Sequence, residues 1–522
     1  MPSRSSSHAE PYDPQRHARL IARNVRWSLG AQTWLLVLTI ALAPVLIHRL
    51  GTTAYGLYAL IVAMVGYLGL LDFGLGIATV KYVSEHLARR DRAAVERAVG
   101  TALTAYLAIG FAGGSAIALA GPPLAGHLGA STALVGTARS ALPLVAAGFT
   151  IAMPLALVTA IPTALQRLDL VNRVNALLGT ATVAGSAAVV LLGGGLLGVI
   201  GVMVAVNAVA LACFTVLTAR LLWPGALRPR IDRASARFLF SFGIAKFVNQ
   251  LATQAVLHVD KFLVAVLASI SAVTFYVVPV TAAQTAMIIV GTVAGPFLPA
   301  ASGFHAVGDM RRFGELYVRV NKLVAALVLP LAALLIVFAE PILRVWVGPS
   351  FAHESADPLR VLAAGYAVNA FSTVPALACD SMGRPRVTTA FSVLSGVLNI
   401  SLSLVLIPRF GILGASFAIL INSLVLVPIF VVYVHRRVLG TPVRTLLSQA
   451  ILRPVGAAAA AVGALLCLLQ VVRGPATLVL AAAAALVFYG ATCFALRLFD
   501  AAELAALRGR LGGLAPGAST TG

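Results

Sequence analysis

Between the apolar stretches FLFSFGIA and FLVAVLASI, residues 246–261 read KFVNQLATQAVLHVDK, with two lysines, an aspartate, a histidine, an asparagine and two glutamines. At about 100° per residue, Lys246, Asn249, Gln250, Thr253 and Gln254 share an arc of about 140° on a helix. Phe247, Val248, Leu251, Ala252, Ala255 and Val256 take the rest of the circumference. This is chemistry for binding: an ammonium can hold an anionic group, and the amides and hydroxyl can orient a polar ligand. A charged side chain at mid-bilayer costs about 3 kcal/mol on insertion scales. The arc must therefore face a hydrated cavity, with Lys246 on an anionic group, or form a polar helix contact, with Lys246 paired to an internal carboxylate. His258 lies just beside the arc.

Other residues could join this chemistry. Arg23 and Arg26 lie one turn apart at the first apolar run, Thr33 continues their face, and Gln32 sits with Ser28 on the neighbouring stripe. Arginine's planar fork suits phosphate oxygens, although arginines there could equally mark the membrane boundary. Asp72, in LLDFGLG, stands where Gly74 and Gly76 loosen a helix. It could hold a coupling proton or sodium ion, pair with an arginine, or cap an irregular turn. Asp260 and Lys261 fit an interfacial ion pair or a ligand site, while Glu340 and Asp380 read as boundary residues. The four cysteines lie in apolar segments without CxxC or Cys/His spacing, and no P-loop occurs. No catalytic group, metal site, disulfide framework or cofactor is expected.

The elements that must position these residues follow from composition. The 522 residues are 60% hydrophobic and 11% charged, with mean hydropathy +0.96. Apolar runs of about 18 residues or more recur, each long enough to span a bilayer. They are continuous, without the two-residue alternation of a membrane barrel. The fold class is an all-α polytopic membrane protein. Spans are expected at roughly 28–48, 54–79, 98–120, 139–164, 174–194, 197–219, 238–259, 264–298, 317–340, 358–380, 387–407, 412–434, 450–472 and 475–496. With the N-terminus inside, thirty basic residues fall in inside links and tails, six fall outside, and Lys246 and Lys261 complete the thirty-eight. That bias supports about 14 spans with both termini cytoplasmic. It also explains a net charge of +21 without nucleic acid. The polar, basic start reads as a tail rather than a cleavable signal.

An offset of 213 aligns Pro162 with Pro375, Arg173 with Arg386, Gly198 with Gly411 and Gly201 with Gly414, and also Ser28-Leu29-Gly30 with Ser241-Phe242-Gly243. Six spans separate equivalent points, so the repeat is parallel. The expected organisation is a tail (1–27), an N-lobe of six spans (28–225), a C-lobe of six (226–437), an extra, peripheral helix pair (438–500) and a C-terminal tail (501–522). Pro162, Pro279, Pro296 and Pro375 offer bending points.

Several stretches together carry a family likeness. They are LGTTAYGLYALIVAMVGYLGLLDFGLGIATVKYVSEH (50–86), FLFSFGIAKFVNQLATQAVLHVDKFLVAVLASISAVTFYVV, ILRVWVGPSF and DSMGRPRVTTAFSVLSGVLNISLSLVLIPRFGILGASFAILIN (380–422). The chain resembles polysaccharide flippases of the multidrug/oligosaccharidyl-lipid/polysaccharide exporter (MOP) superfamily from residue 24 to about 440. The resemblance implies two six-helix lobes alternating between inward-open and outward-open forms. It implies movement of undecaprenyl-diphosphate-linked oligosaccharide from the cytoplasmic to the outer leaflet of the inner membrane. It implies membrane lipids and the lipid-linked substrate as partners, with polysaccharide polymerase and export machinery beside them. It implies cavity-lining basic residues on spans one and seven, which here are Arg26 and Lys246. A peptidoglycan-precursor flippase and a cation-coupled multidrug antiporter are the nearest alternatives. An antiporter would want an acidic cavity, and a membrane glycosyltransferase would want an acidic or metal-binding external loop.

Overall fold

The computed structural model describes residues 30, 34–125, 132–165, 167–223, 225–472, 474–496 and 498; side chains at 248–258 and at a few other positions, including 242 and 244–246, are not described. The described elements are all helical. In chain order they begin with α1 (Trp34–Leu50), α2 (Thr52–Leu68), α3 (Leu75–Ala88), α4 (Arg92–Ala125), α5 (Thr132–Ala164), α6 (Leu168–Leu191) and α7 (Gly195–Leu221). They continue with α8 (Arg233–Leu267), α9 (Ile270–Ala294), α10 (Phe297–Ala306), α11 (Met310–Val337), α12 (Ala339–Trp346) and α13 (Pro349–Ala370). The last are α14 (Thr373–Ser381), α15 (Pro385–Val434), α16 (Val443–Leu446), α17 (Leu452–Leu469) and α18 (Pro475–Ala495).

Eleven helices among the described residues are long and apolar enough to cross a membrane. The outer faces suit lipid: Leu119 and Leu192 are 78% and 88% exposed. The stretch Pro385–Leu439 counts once among the eleven, yet its 55 residues would reach over ~80 Å as a straight helix against a hydrocarbon core of about 30 Å. Gly411 breaks it, with φ 58° and ψ −135°. A Cβ on Gly414 would lie 2.2 Å from the Leu406 carbonyl oxygen, so the chain doubles back in a tight hairpin. The expected bends have definite places: Pro162 and Pro279 lie inside α5 and α9, Pro296 caps α10, and Pro375 sits in the first turn of α14.

The backbone carries the internal repeat at a different offset from the one read in the sequence. α2 and α9 start 218 residues apart, as do α4 and α11. The latter pair share a left-handed residue (Arg90, Gly308) and then an aspartate (Asp91, Asp309) whose carboxylate accepts the N–H three residues on. α6 and α15 start 217 apart, and the hairpin glycines Gly195 and Gly411, both at φ 58°, are 216 apart. The offset of 213 thus becomes 216 to 218. It paired Gly198 with Gly411, whereas the turn geometry pairs Gly195 with Gly411 and Gly198 with Gly414.

The chain packs into two compact units. The first takes in the described parts of Met1–Ala54 and Met64–Gln250, the second Tyr55–Ala63 and the described part of Leu251–Gly522. The first unit's core joins Leu75, Val99, Tyr106, Phe149, Leu157 and Ile161. The second centres on Phe297, Phe313, Tyr317, Val324 and Val374. In lipid such contacts rest on close van der Waals packing, since hydrocarbon solvates apolar side chains as well as the protein does. The final pair, α17 and α18, packs its alanines Ala457, Ala461 and Ala485 with Leu465, Tyr489 and Cys493, against α11 residues such as Ala326, Leu329 and Ala333.

Candidate functional site

α8 is a continuous helix of 35 residues and contains Lys246, Asn249, Gln250, Thr253 and Gln254. The helical period on which their shared arc depends is therefore present in the backbone; their side chains lie outside the described set. Arg26 and Gln32 lie outside the described residues altogether.

Two devices fix the start of α8 within the first unit. Its N-terminus is capped by Asp232, whose Oδ2 accepts the Ser235 N–H at 2.8 Å. The Ser235 hydroxyl beside it and the Ser235 N–H bonded to it hold the Asp232 carboxyl below the usual carboxylate range. Just before it, the α7–α8 link is clamped to α4. Trp223 Nε1 donates to Glu96 Oε1 at 2.6 Å, Arg230 Nη1 donates to Glu96 Oε2 at 3.1 Å, and the Arg92 guanidinium lies 5.2 Å from the Trp223 ring centroid. The indole and guanidinium share one carboxylate, which leaves none of the three charged or polar heads without a partner.

The second device is a kink. A 3₁₀ turn, Gly69–Asp72, follows α2, and Phe73 and Gly74 then take left-handed φ values of 49° and 72°. Asp72 Oδ1 accepts the Gly74 N–H at 2.7 Å, which closes the turn. Of the roles that its sequence context left open to Asp72, the geometry displays this one, the capping of an irregular turn. The wholly buried Tyr106 hydroxyl lies beside Asp72 but not in hydrogen-bond geometry. The kink then meets α8 backbone to backbone. A Cβ on Gly243 would lie 2.5 Å from the Phe73 carbonyl oxygen, and one on Gly74 would lie 2.5 Å from the Gly243 carbonyl oxygen. One turn further along α8, the Phe73 and Phe247 rings sit 5.2 Å apart. Thus Lys246 is carried by a helix stretch seated on the Asp72 kink. The sequence marks out Asp72 and Gly74 but not this pairing; Gly243 stands out there only as a repeat match.

In the second unit, Asp260 is 4% exposed. Its Oδ2 accepts a short hydrogen bond from the Tyr276 hydroxyl, and its Oδ1 accepts the Lys261 N–H at 3.1 Å. Nearby, Gln284 Nε2 donates to the Tyr366 hydroxyl at 2.8 Å. A carboxylate in an apolar interior needs such donors. Adjacency in the sequence pairs Asp260 with Lys261. Tyr276, sixteen residues on, looks there like another apolar-run aromatic and carries no signal. The first unit brings together the Asp72 kink, Gly243 and the α8 backbone around it; the second, taken by itself, brings together Asp260, Lys261 and Tyr276. Among the described residues no group of three His, Cys, Asp or Glu could hold a metal, and the four cysteines are free.

A family model described as polysaccharide biosynthesis protein matches residues 46–356, more than half of the chain. The chain belongs to this polysaccharide biosynthesis family. It is 23% identical over 414 residues to a Shigella flexneri protein named "Putative O-antigen transporter", covering 76% of this chain and 93% of that one. Among solved structures it is similar to a lipid II flippase MurJ in an inward closed conformation, with TM-score 0.69 and 13% identity over 89% of this chain and 97% of that one. It is also similar to an inward-facing multidrug resistance MATE transporter of the MOP superfamily, with TM-score 0.66 and 14% identity over 81% of this chain and 99% of that one. At those identities the structural likeness establishes the fold. This member of the polysaccharide biosynthesis family is a multi-pass membrane protein with the MOP helical fold, and its relatives are transporters and flippases rather than enzymes.

Proposed function

We propose that this protein flips undecaprenyl-diphosphate-linked oligosaccharide, the repeat unit of a surface polysaccharide, from the inner to the outer leaflet of the cytoplasmic membrane by alternating access. The observation that carries the reading is the polar arc of α8, from Lys246 to Gln254, set within an unbroken helix of a polysaccharide biosynthesis family member. A diphosphate and a sugar chain cannot cross hydrocarbon unaided. In the proposed mechanism Lys246 and Arg26 hold the diphosphate. Asn249, Gln250, Thr253, Gln254 and Gln32 hydrogen-bond sugar hydroxyls, and the polyprenyl tail stays in lipid. The chain crosses fourteen times with both termini cytoplasmic, as the distribution of arginines supports. No cofactor is required. Asp260 is the place for a coupling cation, proton or sodium, because it is more deeply buried than Asp72. Polysaccharide polymerase and export proteins are the partners that would receive the product.

The test is the pool of lipid-linked oligosaccharide in a strain lacking the gene. Inward-facing intermediates should accumulate, wild type should clear them, and Lys246→Ala should clear them poorly. Clearance by Lys246→Ala at the wild-type rate would remove Lys246 from substrate binding. An unchanged oligosaccharide pool with a raised lipid-linked peptidoglycan precursor would favour the precursor flippase, and altered drug sensitivity alone would favour the antiporter.

A further inference from the structure

A second concentration of charge lies wholly within the second unit. A cavity of about 900 Å³ opens between the first half of α11 and the 435–453 link that leads into α17. Four basic side chains line it: Arg311, Arg319 and Lys322 from α11, and Arg453. Among the described lining residues there is one carboxylate, Glu315, which bonds Arg311 at 2.8 Å, so the described lining is net positive. Residues 311, 315, 319 and 322 recur at helical spacing, so the cations form one stripe along α11. The stripe runs from exposed Arg311 to Lys322, which is 9% exposed. Twelve residues of helix carry it about 18 Å from the α11 N-terminus. The opposite wall mixes apolar Leu439 and Leu446 with the polar Ser448 and Gln449.

A soluble anion would need neither the depth nor the apolar wall. A lipid uses both: its phosphate meets the cations while its glycerol and first methylenes meet the leucines. Basic pockets between spans on the arginine-rich side of a membrane protein suit anionic headgroups, at about 1 kcal/mol per basic residue. The arginines of these links are among those that the charge bias places inside. We infer that this cavity is a binding site for the phosphate headgroup of an anionic membrane phospholipid.

The full-length protein in mild detergent can be titrated by native mass spectrometry with phosphatidylglycerol, with phosphatidylcholine of the same acyl chains and with inorganic phosphate. Phosphatidylglycerol adducts should outlast phosphatidylcholine adducts. The double variant Arg319→Gln, Arg453→Gln should weaken phosphatidylglycerol retention roughly twentyfold to thirtyfold. Arg319→Lys with Arg453→Lys should retain most of it, as should Arg237→Gln near the start of α8. Ser448→Glu, which leaves the arginines in place, should weaken retention too and covers the case in which the glutamine pair does not fold. Undiminished phosphatidylglycerol retention in the glutamine pair and in Ser448→Glu would overturn the assignment, as would an equal loss in Arg237→Gln. Displacement of phosphatidylglycerol by inorganic phosphate at equal concentration would overturn it as well, by giving the cavity to a free anion.

Discussion

Gly243→Ala tests whether the α8 arc depends on backbone contact with the Asp72 kink. The added Cβ would lie 2.5 Å from the Phe73 carbonyl oxygen, with the Gly74 carbonyl carbon at 3.3 Å. Ordinary contact starts near 3.4 Å, so the two backbones would have to part by about 0.9 Å. Neither neighbour is a flexible side chain that could rotate away. Gly74 is already left-handed, and Asp72 holds its N–H. Overpacking typically costs about 1–3 kcal/mol, and the lack of a yielding partner places this site in the upper part of that range. At roughly 2–4 °C per kcal/mol for a unit of this size, the melting temperature should fall by roughly 4–12 °C. Size-exclusion thermal melting in detergent reads this directly. Gly201→Ala is the matched control, because nothing lies within 4 Å of its Cβ position inside α7; it should melt within about 2 °C of wild type. The transport assay should show Gly243→Ala losing clearance of lipid-linked intermediates even at temperatures where it stays folded. If Gly243→Ala melts with wild type and clears at the wild-type rate, the kink does not position α8.

Three further changes probe the supports. Glu96→Ala removes the shared acceptor of Trp223 and Arg230 and should cost about 1–3 kcal/mol; limited proteolysis should cut the 222–232 link faster, and an unchanged cleavage rate would count against the clamp. Tyr276→Phe deletes the hydroxyl donor to buried Asp260 and should lower stability by about 1–3 kcal/mol, which an unaltered melting curve would contradict. Asp232, held low by Ser235, contributes its full capping stabilisation above the unfolded carboxylate value of about 4. That contribution should fade as pH falls through the depressed folded value. Asp232→Asn should flatten the melting profile below about pH 5, while a parallel profile would show that Asp232 adds no pH dependence.

The long apolar runs and their arginine-rich links announce a polytopic helical protein because both signals are compositional and need no tertiary information. α8 is legible as one helix because its polar residues keep a helical period through an apolar background. The same reading misplaces the repeat by three to five residues. Letter matches such as Gly198 with Gly411 are blind to which glycine turns the chain; the backbone shows that Gly195 does. Asp72 is visible in the sequence, but its neighbour is not. The contact of Gly74 with Gly243 joins positions 169 residues apart, and a glycine gives no sign of what it makes room for. Tyr276 is hidden for a related reason: a tyrosine inside an apolar run reads as bulk until a buried carboxylate is found against it.

The clamp on the α7–α8 link also bears on the order in which the chain is assembled. Trp223 and Arg230 leave the ribosome more than a hundred residues after Glu96, once all of α4 to α7 has been made. The latch can close only when those helices have entered the bilayer and paired, and it involves no residue that follows. Its closure therefore needs α4 to α7 in place but none of the helices that follow. A chain ended after Asp232 and released into the membrane should already hold Trp223 shielded, as a self-contained intermediate onto which the later helices can be added.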